Sequence, residues 1–196
     1  VDNFESLVGQ ALLQKDNLKP GERNKVEVVL LDSSRDGVEQ ISSWLSHYNN
    51  VQTVHVISHG AEGKLYLGSG QLTAESLESY ESQLMKWKAS MAEGGDVMLY
   101  GCDVAAGEFG KRFVQHLSEV TGLDFAASED LTGTAQKGGD WRLEYMTGSL
   151  AGDSLFGFGP QFASRLSAYT FDSNSAFDGS ETNVADGDIR SEEHTS

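Results

Sequence analysis

The sequence predicts an α/β fold in which a mostly parallel sheet is covered by helices on both faces. Short apolar runs rich in β-branched residues alternate with stretches of helical periodicity, in a β-α-β-α order. Two of these runs, at 54–58 and 97–100, end beside a reactive side chain, His59 after the first and Cys102 after the second. Because the carboxyl ends of parallel strands meet at one edge of a sheet, we expect His59 and Cys102 to lie close together.

The first third of the chain supplies two predicted strands. Residues 3–14 carry apolar side chains at helical spacing, and a chain that begins on such a helix leads us to expect the first core strand upstream of residue 1. The run at 26–31 predicts a strand that is buried on both faces. We expect Asp32, Ser33 and Ser34 to cap the helix that follows. The inward face of that helix is predicted to carry Val38, Ile41, Trp44 and Leu45. The second strand is predicted over 51–58.

The middle of the chain predicts a hairpin and two more helix–strand pairs. Residues 64–72 alternate in polarity and contain Gly-Ser-Gly, which indicates a small hairpin at the mouth of the sheet. The remaining elements are a long helix from Thr73 that Gly94 and Gly95 end, a strand over 97–100, a helix over 107–121 with Phe109, Phe113, Val114 and Leu117 facing inward, and a short strand over 125–128.

The composition changes after residue 128. Residues 131–139 predict a loop, and 141–145 alternate in the manner of an edge strand. We expect one domain over 1–168, followed by an acidic linker or tail over 169–196. That tail is too poor in apolar residues to offset the entropy lost on ordering it.

Composition narrows the choice of partners. Thirty acidic against fourteen basic side chains give a formal charge of −16, which argues against nucleic acid and against an anionic membrane surface. No apolar run approaches the roughly 18–20 residues of a membrane span. The one cysteine excludes an intramolecular disulfide and leaves Cys102 free to react. We expect a monomer whose partner is a peptide or protein.

A cysteine nucleophile needs a neighbouring imidazole and backbone N–H donors for the oxyanion of its tetrahedral intermediate. His59 would supply the imidazole, and the N–H groups of Gly60 and Cys102 are the candidate oxyanion donors. The structural alternative is that Cys102 is a small buried apolar residue and His59 a turn histidine. Each strand-like run ends at one member of the pair, and this favours the functional interpretation.

Four blocks of the sequence resemble a known family. They are LDSSRDGVEQI, VISHGAEGKLYLG, LYGCDVAAGEFG and ASEDLTGTAQKGGDWRLE. Together they resemble the DUF4347 domain, found near the start of very large bacterial surface and adhesin-type proteins, and the His-Gly and small-residue–Cys arrangement resembles caspase-like (clan CD) cysteine peptidases. This resemblance, which covers residues 26–144, implies a caspase-like three-layer sandwich. It also implies a cysteine endopeptidase with His59 as base and Cys102 as nucleophile, needing no cofactor for its chemistry, in a secreted or cell-surface bacterial protein.

The resemblance also indicates where the S1 pocket would lie. Tyr100-Gly101-Cys102-Asp103 differs from the caspase sequence around the nucleophile, so aspartate specificity does not transfer. The positions that resemble the pocket floor are Asp32, Ser128 and Asp130, with Glu129 a weaker candidate. An acidic floor would select Arg or Lys at P1. The alternatives are that Asp32 is a helix cap and Asp130 a solvated loop charge.

Three further hypotheses concern the end of the chain and the function class. Arg165 and Arg190 are candidate self-cleavage sites, each with a surface arginine as the alternative. Calcium is a candidate structural or activating ion, with oxygen ligands from Asp172, Asn174, Asp178, Asp186 and Asp188, although their spacing does not match an EF-hand and favours a solvated linker. The competing function is a non-catalytic caspase-like interaction module of an adhesin.

Overall fold

The computed structural model describes residues 26–133, 138–150 and 167–172, of which residue 26 and residues 167–172 are described by their backbone alone. The strands are β1 (Val26–Leu31), β2 (Val51–Ile57), β3 (Gly60–Ala61), β4 (Lys64–Leu67), β5 (Gly70–Thr73), β6 (Met91–Tyr100), β7 (Asp124–Ala127), β8 (Tyr145–Met146) and β9 (Ser167–Asp172). The helices are α1 (Gly37–Leu45), α2 (Leu77–Ser90) and α3 (Gly107–Thr121). The helix predicted over 3–14 lies outside the described residues.

Six strands form the main sheet, in the order β1-β9-β2-β6-β7-β8. The first five are parallel and β8 pairs antiparallel with β7, which confirms a mostly parallel sheet. The predicted hairpin is the centre of a separate antiparallel sheet, β3-β4-β5. The boundary expected between residues 168 and 169 falls inside β9.

The three described helices lie on one face of the main sheet. α1 packs against α2, and α2 against α3. The crossovers from β1 to β2, from β2 to β6 and from β6 to β7 all advance in the same direction across the sheet. Right-handed crossovers that advance in one direction place their helices on the same face. The expected helices on both faces are therefore not found within the described ranges, where only one face carries them.

Alternate side chains of β2 and β6 are buried on opposite faces of the sheet. The core under the helices contains Val38, Ile41, Leu45, Val54, Val56, Leu84, Trp87, Val97, Leu99, Phe113, Val114, Leu117 and Phe125. The opposite face carries Thr53, His55, Ile57, Met98 and Tyr100, each at most 2% exposed. His55 therefore points away from Val54 and Val56, as the strand alternation predicts. Burial lowers the pKa of His55 to about 3, so this imidazole is neutral.

The predicted cap of α1 is wrong. The N-cap is Asp36, which has an extended backbone and accepts a hydrogen bond from the Glu39 N–H at 2.9 Å. Asp32 instead accepts bonds from the N–H and hydroxyl of Ser34, at 2.9 and 2.7 Å. Asp32 and Asp36 are both of a residue type that caps helices. Because residues 32–34 form a turn, the helix begins after Asp36 instead.

Two smaller expectations also differ from the structure. Phe109 is 43% exposed, because its ring lies over Gly63 in the loop between β3 and β4. Of the edge strand predicted over 141–145, only Tyr145 lies in a strand, the two-residue β8, since the N–H of Arg142 turns back to the Asp140 carboxylate at 2.8 Å. No helix in the described part of the chain is long and apolar enough to cross a membrane.

Candidate active site

The ends of β2 and β6 bring His59 and Cys102 to the same edge of the sheet. Their last paired residues are Ile57 and Tyr100, and the Ser58 N–H donates to the Tyr100 carbonyl at 3.1 Å, which extends the pairing by one step. Continuing the same register places His59 opposite Cys102 on the adjacent strand, and adjacent strands of a sheet lie about 4.8 Å apart.

Two glycines allow close contact between the backbone segments that follow β2 and β6. A Cβ added to Gly60 would lie 2.7 Å from the Cys102 carbonyl oxygen and 2.9 Å from the Gly101 carbonyl carbon. A Cβ added to Gly101 would lie 3.2 Å from the Gly60 Cα. The two distances at Gly60 are too short for a side chain and the one at Gly101 is tight, so the backbones of the two turns pack directly against each other. The sequence positions of Gly60 and Gly101 thus have a steric cause, and the contact fixes the residues beside them.

The Cys102 thiol is partly exposed at this edge. Its Sγ lies 3.6 Å from the carbonyl oxygen of Thr132, to which the thiol donates. Asp103, the next residue, has a φ of +60°, a left-handed conformation that costs free energy in a residue other than glycine.

Hydrogen bonds on two sides hold the turn that follows Cys102. The Asp103 N–H donates to the Asp130 carbonyl and the Ala105 N–H to the Ser128 carbonyl, both at 2.8 Å. On the other side the Gly63 N–H donates to the Val104 carbonyl at 3.0 Å. The nucleophile candidate is therefore fastened between the β3–β4 turn and the segment after β7.

Two of the three predicted S1 residues lie beside the Cys102 turn. Ser128 is fully buried, and its hydroxyl donates to the Asp130 carbonyl at 3.0 Å, so Ser128 shapes the turn that presents Asp130. The Asp130 side chain is exposed. Glu129, the weaker candidate, forms an ion pair with Lys111 of α3 at 2.9 Å, and this hydrogen bond raises the pKa of Lys111.

Asp130 belongs to an acidic cluster that includes Asp140 and Glu144. One carboxylate oxygen from each lies within 4.8 Å of the others, and all three residues are exposed. Asp140 also accepts from the Arg142 N–H at 2.8 Å, and Glu144 from the Glu129 N–H at 3.0 Å. The cluster could attract a cationic group or ion, although exposed acidic residues often lie together without one. Asp140 and Glu144 were not predicted as site residues, because only the path of the chain after β7 brings them to Asp130.

Asp32 lies apart from this group. Strand β9 separates β1 from β2, so the end of β1 is two strand spacings, about 10 Å, from the end of β2. The hydroxyl and N–H of Ser34 lower the pKa of Asp32 and occupy its carboxylate. The structure thus brings Ser128 and Asp130 to the Cys102 turn and leaves Asp32 in a turn of its own.

The remaining predicted positions lie near the end of the chain. Asp172 is the last residue of β9. Arg165, Asn174, Asp178, Asp186, Asp188 and Arg190 lie outside the described residues.

The fold and the site together define a class: an α/β protein whose mostly parallel sheet presents a histidine and a cysteine on adjoining strand ends. The chain belongs to the DUF4347 family, described as a domain of unknown function, whose profile matches residues 5–164. This confirms the family predicted from the four sequence blocks. Neither the curated proteins nor the solved structures contain a match to the chain.

Proposed function

We propose that this protein is a cysteine endopeptidase of the caspase-like type, with His59 as general base and Cys102 as nucleophile. The observation that supports it most is the direct backbone contact between Gly60 and the Gly101-Cys102 peptide. The contact brings together the two backbone turns that carry His59 and Cys102, and this supports a joint role for the two residues.

The chemistry follows from the arrangement. The imidazole of His59 takes the proton of the Cys102 thiol, and the thiolate attacks the carbonyl carbon of the scissile peptide bond. The resulting oxyanion accepts hydrogen bonds from the N–H groups of Cys102 and Gly60. Collapse of the intermediate breaks the C–N bond, and the imidazolium protonates the departing amine. Water, deprotonated by His59, then hydrolyses the thioester and restores the thiol. No cofactor enters these steps.

The acidic cluster supports a preference for Arg or Lys at P1. The backbone carbonyl of Asp130 accepts a hydrogen bond from the N–H of Asp103, the residue after the nucleophile. The carboxylates of Asp140 and Glu144 lie beside the Asp130 carboxylate. A cationic P1 side chain would form charge-assisted hydrogen bonds there. The peptidase chemistry does not depend on calcium.

We further propose that the substrate is a large bacterial surface protein, including the parent chain itself. Asp172 ends β9 at the same edge as His59 and Cys102, because β9 is parallel to β2 and the pair Ile57–Phe171 is in register. Arg190 follows Asp172 in the sequence and is therefore attached to the sheet at the edge of the site, which makes it the better of the two self-cleavage candidates. Arg165 precedes β9, whose amino end lies at the opposite edge of the sheet.

Thiol labelling tests the proposed pair. The wild-type chain, His59→Ala and His116→Ala, a control at an exposed histidine on α3, are treated with iodoacetamide and with a peptidyl-arginine electrophile at neutral pH. Because a cysteine without a base is only a few per cent thiolate at neutral pH, His59→Ala should slow labelling of Cys102 by about 10-fold or more, and His116→Ala should not. Equal, slow labelling of all three chains would favour the non-catalytic interaction module.

Mass spectrometry tests self-cleavage. Purified wild-type chain should yield a product cut after Arg190, and Cys102→Ala should stay intact. A product that persists in Cys102→Ala would come from another peptidase and would refute self-processing.

A further inference from the structure

The central position of β9 is unusual for its place in the chain. β9 pairs in register with β1 through Val28–Tyr169 and with β2 through His55–Tyr169, so both of its edges are hydrogen-bonded. Yet β9 begins at Ser167, and the family match ends at residue 164. A segment beyond the family boundary therefore completes the middle of the family's sheet.

Without β9, the described strands β1 and β2 would be separated by a gap one strand wide. β1 and β2 each face β9, and their mutual separation of two strand spacings is about 10 Å. Among the strands that the structure describes, β1 pairs only with β9. Two facing strand edges hold a full set of N–H and C=O groups that must be paired once buried. The β1–β2 slot, defined by the facing edges of these two strands, thus requires an extended chain segment.

The segment that fills the slot is suited to it and is attached through a long connection. Residues 167–172 read Ser-Ala-Tyr-Thr-Phe-Asp, with three residue types that favour strands. The connection from β8 to β9, residues 147–166, must cross four strand spacings, about 19 Å. Twenty residues extend to about 66 Å, so the same connection also reaches a neighbouring molecule.

We propose that the β1–β2 slot is a strand-docking site whose ligand is the segment 167–172, and that this segment is exchangeable, so that a second copy of the chain can supply it. Affinity comes from main-chain hydrogen bonds to both neighbours, as in other cases of strand addition. Because β2 carries His59 beyond its end, occupancy of the slot also holds that strand in register. The proposal does not depend on peptidase activity.

A disulfide pair tests whether the segment occupies the slot. In full-length chain carrying Cys102→Ser, the register pair Val29–Thr170 is replaced by Val29→Cys with Thr170→Cys. Paired residues of neighbouring strands lie within disulfide range, and we expect oxidation to form the cross-link, read by peptide mapping. The control, Val29→Cys with Phe171→Cys, is one residue out of register, places the thiols on opposite faces and should remain reduced. Absence of the in-register cross-link, or equal cross-linking in both, would refute occupancy of the slot.

Peptide competition tests exchange. A fluorescent peptide with the sequence of residues 165–175 is added to the in-register variant, reduced or oxidised, and binding is read by anisotropy. The reduced protein should bind the peptide, and the oxidised protein, whose slot is locked, should not. A peptide with Thr170→Pro, which lacks one N–H donor, should bind at least about 10-fold more weakly. No binding to reduced protein, or equal binding to the locked form, would overturn the proposal.

Discussion

Two histidines four residues apart show how differently the interior and the carboxyl end of the β2–β6 pair treat the same side chain. His55 is 1% exposed on the face without described helices, with its ring stacked on Tyr100 at a centroid distance of 5.9 Å. His59 is half-buried, lies beyond the last paired residue and adjoins Gly60. The interior keeps the His55 imidazole neutral by removing water, whereas the strand end leaves His59 half-buried.

The largest predicted effect is the pH dependence of stability due to His55. Its pKa falls from 6.5 to about 3 on folding, so the unfolded chain binds a proton first as the pH decreases. Stability from this group is fully present above pH 6.5 and is lost as the pH falls towards about 3. The whole loss is about 5 kcal/mol, at 1.36 kcal/mol for each pKa unit. Urea unfolding at a series of pH values measures it.

His55→Leu separates this effect from other acid-sensitive groups. The variant should lose most of the slope of unfolding free energy against pH between about 3.5 and 6.5, whereas His59→Ala should retain it. An unchanged slope in His55→Leu would show that the burial of His55 does not control acid stability.

Gly60→Ala tests the packing at the strand end. The new methyl group would overlap the Cys102 carbonyl and Val104, at 2.7 and 2.6 Å, and overpacking of this kind costs about 3 kcal/mol. Gly94→Ala is the comparison, since Gly94 has a φ of +70° but no atom within 4 Å of its Cβ position. It should cost about 1 kcal/mol, from backbone strain alone. Equal losses in urea unfolding would mean that the contact at Gly60 is not tight.

The acidic cluster is tested by neutralising one member. Asp130→Asn should lower kcat/KM for a peptide substrate with P1 arginine by about 10-fold, the cost of losing one charge-assisted hydrogen bond. Asp32→Asn, two strand spacings from β2, should leave kcat/KM unchanged. A larger loss in Asp32→Asn would place the specificity pocket at the end of β1.

The smallest predicted effect lies away from the carboxyl edge. The Tyr80 hydroxyl donates to the Asp36 carboxylate that caps α1, and burial together with this bond raises the pKa of Tyr80 to about 12. Tyr80→Phe should destabilise the fold by about 1 kcal/mol and leave the rate of Cys102 labelling unchanged. A changed labelling rate would indicate that α1 and the thiol are coupled.

Local patterns were sufficient for most strands and for the pair of reactive residues. The runs before His59 and Cys102 are apolar and β-branched, so the burial of β2 and β6 and the meeting of their ends follow from composition and parallel pairing. The single-faced arrangement of α1, α2 and α3 was also accessible from the crossover rule, once the lateral order of the strands is known.

The order of the strands across the sheet depends on residues that are far apart in the sequence. Nothing in residues 167–172 distinguishes a central strand from an edge strand, because their neighbours in the sheet are more than a hundred residues away. The acidic cluster depends in the same way on the turn at Asp140, which folds residues 140–144 back towards Asp130. The cap of α1 was missed for a local reason. Asp32 and Asp36 are the same residue type four positions apart, and the sequence alone does not show which of them caps the helix.

Cys102 is the single cysteine of the chain. A thiol-reactive fluorophore or spin label would therefore attach at this one position without any engineering. Nearby in the sequence, the ring of Tyr100 lies 6.3 Å from that of Trp141. The natural sequence thus needs no cysteine substitution before a spectroscopic label is attached at the carboxyl edge of the sheet.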